Sequence, residues 1–78
     1  MAITVTSIHP PINGGTMWYG AAESSGGDHY TWTASLEYWK PGHGCFRRSR
    51  QQPEFWQQVP ASRALYRAVR AAIRAAAH

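Results

Sequence analysis

The chain has 78 residues, with eight Lys and Arg against four Asp and Glu, a formal charge of +4 and a single cysteine. So short a chain buries only about 60% of its unfolded surface, which limits it to one domain, 1–78, with a small core. Cys45 alone excludes an internal disulfide, and no apolar run nears the roughly 20 residues of a membrane span. The N-terminal Met-Ala-Ile-Thr-Val-Thr lacks the basic and apolar stretches of a secretion signal. The expectation is a cytoplasmic chain, complete from its own initiator, with no membrane partner.

Ile3 to Ile8 alternates Ile3 and Val5 against Thr4 and Thr6 and reads as a first strand, stopped by Pro10 and Pro11. Asn13-Gly14-Gly15 is turn chemistry, and Met17 to Ala22 reads as a second strand in which Gly20 marks a bulge. The third strand, Tyr30 to Lys40, places Tyr30, Trp32, Ala34, Leu36 and Tyr38 on a core face, with Thr31, Thr33, Ser35 and Glu37 opposite. Pro41-Gly42-His43-Gly44 turns the chain into a fourth strand over Cys45 to Arg50. Pro53 opens a short helix to Val59, with Phe55, Trp56 and Val59 available to pack, and Pro60 ends it. Ser62 caps a longer, alanine-rich helix from Arg63 to about Ala77, with Leu65, Val69 and Ile73 facing the sheet. The fold class is α+β: a meander of three to four antiparallel strands over 1–50, then a helical part over 53–78 that packs on one face.

Charge is segregated along this order. Three acids and no base precede Lys40, while eight bases and one acid, Glu54, run from Lys40 on, giving formal charges of −3 and +7. Four of the bases, Arg63, Arg67, Arg70 and Arg74, fall within a wedge of about 60° on the C-terminal helix. A solvated helix face usually mixes signs, because an acid four residues before a base stabilises it. A bare cationic line suits an anionic partner, although a solvated face remains the alternative. Arg47, Arg48 and Arg50, with Lys40 across the turn, form a second basic group beside Phe46 and Trp39. Basic residues interleaved with aromatics suit single-stranded nucleic acid.

Trp18, Tyr19, Trp39 and Trp56 are too many large rings for so small a core, so some are candidate contacts for a partner; Trp and Tyr, with Arg, dominate interface hot spots. His29, His43, Cys45 and His78 lack the spacing of a zinc site, so no metal and no cofactor is expected. No nucleophile motif surrounds Cys45 and no glycine-rich phosphate loop is present, so no enzyme activity is expected. A helix-turn-helix over Glu54 to Ala77 would have a short first helix and a reader helix without Asn or Gln for base edges. The second strand, taken as an exposed edge, could pair two copies, which leaves monomer and homodimer both open.

A small domain without a catalytic motif, carrying a sheet, interface-type aromatics and a segregated basic surface, resembles the small phage-encoded anti-CRISPR proteins that inhibit bacterial defence complexes. The resemblance lies in size, architecture and surface character over the whole chain, and not in a motif. It implies stoichiometric inhibition in the host bacterial cytoplasm, by docking on a CRISPR-Cas surveillance complex and blocking DNA binding or nuclease recruitment. Many such inhibitors imitate DNA with acidic surfaces. This chain is basic and would have to meet an acidic protein surface or contact nucleic acid itself. The rival class is a basic nucleic-acid-binding module, a transcriptional regulator or accessory factor.

Overall fold

The computed structural model of the chain describes residues 2–35 and 44–77. Among them lie five antiparallel strands and one helix: β1 (Ile3–His9), β2 (Trp18–Ser24), β3 (His29–Ala34), β4 (Cys45–Arg48), β5 (Gln57–Gln58) and α1 (Arg63–Ala76). The strands form one sheet in the order β1-β2-β3-β4-β5, a meander in which each strand pairs with its neighbour in sequence. The architecture is α+β. Trp39 and Lys40, the core assignments of Leu36 and Tyr38, most of the turn before Gly44 and His78 lie outside the described residues.

Strand alternation holds except in β1. Its register passes from Val5 opposite Ala22 to Ser7 opposite Ala21, so Thr6 is an extra residue. Because of this bulge, Val5 and Ile8 both pack against the core although they are three residues apart. The irregularity expected at Gly20 therefore falls on the neighbouring strand. Gly20 has another role: it pairs with Ile8 on one side and Trp32 on the other, and a Cβ there would overlap the Ser7 carbonyl oxygen. β2 is also not an edge strand, since β1 and β3 flank it. The edges of the sheet are β1 and β5.

The tight connections follow their turn chemistry. Asn13 and Gly14 both adopt positive φ, 54° and 76°, and Gly15 N–H donates to the Ile12 carbonyl at 3.0 Å. In the β2–β3 hairpin, Gly27 has φ 92°, and the Ser24 hydroxyl accepts from Asp28 N–H at 3.1 Å.

The short helix expected over Pro53 to Val59 is not formed. Residues 49–55 instead make turns, with Gln52 N–H and Phe55 N–H each donating across three residues, and Gln57 and Gln58 pair with Arg47 and Phe46 as β5. Six residues between two prolines are too few to offset the cost of helix nucleation, whereas the free side of β4 offers unpaired backbone groups that an extended segment satisfies. Val59 N–H completes this pairing on the Cys45 carbonyl at 3.0 Å. Phe55, expected to pack, is exposed. β4 itself ends at Arg48 and does not reach Arg50.

One sheet face is closed by α1. Leu65, Val69 and Ile73 are fully buried against Ala22, Trp32, Ala34 and Cys45, with Ile3, Val5, Ile8, Trp18, Tyr30 and Val59 packed around them. Each such aliphatic side chain contributes about 1.5–3 kcal/mol on burial. The strand contacts of the helix are concentrated on β1. Its N-terminus is held by the Ser62 hydroxyl, which accepts from Leu65 N–H at 3.1 Å. Ser62→Ala is expected to cost about 1 kcal/mol of stability, read as a lower urea midpoint with an unchanged slope. An unchanged midpoint would show that the cap is dispensable.

Candidate functional site

The four helix arginines are all exposed, and the first turn of α1 holds no acid. Burial of Leu65, Val69 and Ile73 fixes the rotation of the helix, so residues in the Arg63, Arg67, Arg70, Arg74 line point away from the core. They border an open groove of about 600 Å³ whose lining also includes Tyr66 and Ala71. The Arg70 guanidinium lies 6.0 Å from the Tyr66 ring centroid. None of the four is paired with a carboxylate among the described residues, where the contact of this kind is His29 Nδ1 with Glu23 Oε1 at 3.1 Å. The line runs against the helix dipole at Arg63, in the first turn, and with it at Arg74, in the last.

The second basic group does not form one cluster. Strand alternation sends Arg47 and Arg48 to opposite faces. Arg47 shares the α1 side with Tyr30, its neighbour in register, and its Nε is buried without a hydrogen-bond partner. Arg48 lies on the far side with its guanidinium 5.1 Å from the Trp56 ring centroid. Arg50 follows the end of the strand, where its N–H donates to Asp28 Oδ1 at 3.4 Å. Of the aromatic candidates, Trp18 packs against the core, while Tyr19 and Trp56 are exposed. Tyr19 stacks on His9 with centroids 4.8 Å apart.

Two residues escaped the reading of the sequence. Tyr66 sits between the buried stripe and the arginine line on the helical wheel, a position that could have marked it as groove lining. His9 stacks on Tyr19 through cross-strand pairing that only the bulged register creates.

Cys45 is fully buried, and burial pushes its thiol up despite the opposing charge of Arg47. A raised thiol stays neutral and is a poor nucleophile. His29 lies on the other face of the sheet, so the two do not meet; His43 is outside the described residues. Burial likewise pushes the Tyr30 hydroxyl up, helped by Asp28 and opposed by Arg47. Both groups hold their protons more tightly folded than unfolded, so the unfolded chain binds fewer protons at alkaline pH and stability falls there. Stability from these groups is complete below about pH 9 and declines as pH rises through the thiol and then the phenol range. Thermal midpoints at stepped pH check this, and Cys45→Ala should remove the earlier part of the decline. A flat profile to pH 11 would contradict it.

No protein-family model, curated protein or solved structure matches this chain. No helix among the described residues is long and apolar enough to cross a membrane. What the geometry defines is a small α+β scaffold presenting a cationic helix face.

Proposed function

We propose that this chain is a non-catalytic binding protein that docks the Arg63, Arg67, Arg70 and Arg74 face of α1 on an anionic surface of a larger protein complex. The observation that carries the reading is that four exposed arginines share one groove and none is offset by an acid. Four like charges repel one another on an isolated helix, and a partner's carboxylates would relieve that repulsion. Tyr66 and Ala71 give the groove apolar floor on which such a partner can exclude water. The likeness in size and surface character to phage-encoded anti-CRISPR proteins supplies the target class: a subunit of an RNA-guided bacterial defence complex, whose DNA binding or nuclease recruitment the docked protein would block.

The rival reading gives the same arginines to duplex nucleic acid. It is tested on random-sequence duplex DNA at about 150 mM salt. Binding tighter than the usual non-specific Kd of about 10⁻⁴–10⁻⁶ M, lost when the four arginines become Gln, would move the conclusion to a nucleic-acid-binding module. No such binding, together with arginine-dependent inhibition of DNA capture by a purified surveillance complex, is the outcome expected here.

A further inference from the structure

We propose that the sheet face opposite α1 is a second binding surface, which takes single-stranded nucleic acid by stacking bases on Phe46, Trp56 and Tyr19. This does not rest on the reading of the arginine helix, which lies on the other side of the sheet. Among the described residues no element covers this face. Register places Tyr19 opposite Thr33, Thr31 opposite Phe46 and His29 opposite Arg48, so these side chains share it. Phe46 and Tyr19 are each 39% exposed and Trp56 is 44% exposed. Core formation explains none of the three.

The geometry suits bases better than a protein. Phe46 and Tyr19 stand two strands and one residue pair apart, about 12 Å, with the small side chains of Thr31 and Thr33 between them. They are separate posts on a flat floor, not the continuous apolar patch that a protein partner usually covers. Every base has a π-face, and stacking on an exposed ring is tolerant of sequence. The hydroxyls of Thr31 and Thr33 can donate to or accept from base edges lying across them.

Charge complements this. β4 contributes Arg48 to this face, and neither β4 nor β5 carries an acid. Glu23, the acid on this face, is held by His29 at 3.1 Å. Glu54 lies on the preceding turn, beyond the pairing of β5. The Arg48 guanidinium rests on Trp56, which orients it and leaves its N–H edge for a phosphate. A duplex would hide its base faces from these rings, so the surface is specific for single strands.

The test uses the whole chain and a short uridine-rich RNA carrying one fluorescent base whose emission reports stacking. Binding is expected with a weak salt dependence, a slope of about −0.7 for a site whose one phosphate contact is Arg48. Phe46→Ala and Trp56→Ala should each weaken Kd by roughly five- to a hundred-fold and reduce the stacking signal. Trp56→Phe should retain most of both, and it serves as the readout if the alanine variant unfolds. Changing the four helix arginines to Gln should leave the stacking signal in place. The proposal is overturned if the RNA does not bind, if binding ignores Phe46 and Trp56, or if it follows the helix arginines instead. It is equally overturned if the ring variants lose a protein partner while no RNA binds.

Discussion

Gly20→Ala is expected to lower the stability of the chain sharply. A Cβ at position 20 would overlap the Ser7 carbonyl oxygen and come within 2.7 Å of Trp32 Cζ2, closer than real Cβ contacts allow. Neither neighbour can withdraw easily. Ser7 is fixed by the β1 bulge and its pairing with Ala21, and Trp32 is the largest fully buried side chain among the described residues. Overpacking of a tight core costs about 1–3 kcal/mol, and a clash with backbone adds to it. A chain of this size has roughly 4–12 kcal/mol of total stability, so the loss is a large share of the whole. Gly26→Ala is the internal control. Its Cβ would meet Ser24 Oγ at an ordinary 3.7 Å, and the change should be nearly silent. Urea titrations of both variants followed by tryptophan emission settle the matter. If the two midpoints agreed, the close approach at Gly20 would have no energetic meaning.

Replacing Arg63, Arg67, Arg70 and Arg74 together by Gln is expected to abolish the proposed docking on an anionic surface while leaving the fold intact. Gln has a helix propensity close to that of Arg, and the four side chains are exposed, so no packing is lost. Removing repulsion between neighbours on the helix returns about 0.2–0.5 kcal/mol per pair, and freeing the first turn of Arg63 adds a dipole term of similar size. The thermal midpoint should hold or rise slightly. Binding should move the other way. Hydrogen bonds to charged groups contribute about 1.5–3 kcal/mol each, so losing even two of them lowers affinity by a hundredfold or more. Opposite signs in the two measurements distinguish a contact surface from a structural one. Unchanged inhibition by the Gln variant would mean that the line is a solvated face and that docking lies elsewhere.

The parts of this fold readable from sequence are those set by local chemistry. Ser62 followed by an alanine-rich segment with Leu65, Val69 and Ile73 defines α1 to within a residue at its end. The alternation around Trp32 and the glycine turns place β2 and β3. What escaped depends on tertiary pairing. Gln57 and Gln58 carry no strand signal of their own and become β5 because β4 has an unpaired side. The Thr6 bulge likewise turns Ile8 inward against its alternation. At the candidate surfaces, the helix arginines follow from a 3.6-residue period alone. Grouping Arg47 with Arg48 failed for a reason the sequence already held: adjacent strand residues point to opposite faces.

The concentration of helix contacts on β1 has a consequence for how the chain folds. The meander can assemble by steps between neighbours, each closing only a short loop. Its Trp32 face stays wet until α1 lands on β1, which joins the two described elements furthest apart in sequence. Contacts of such long sequence separation slow folding relative to a fold built from local pairs alone. The sheet without its helix would be an adhesive intermediate, and the speed of docking then decides how much chain escapes aggregation.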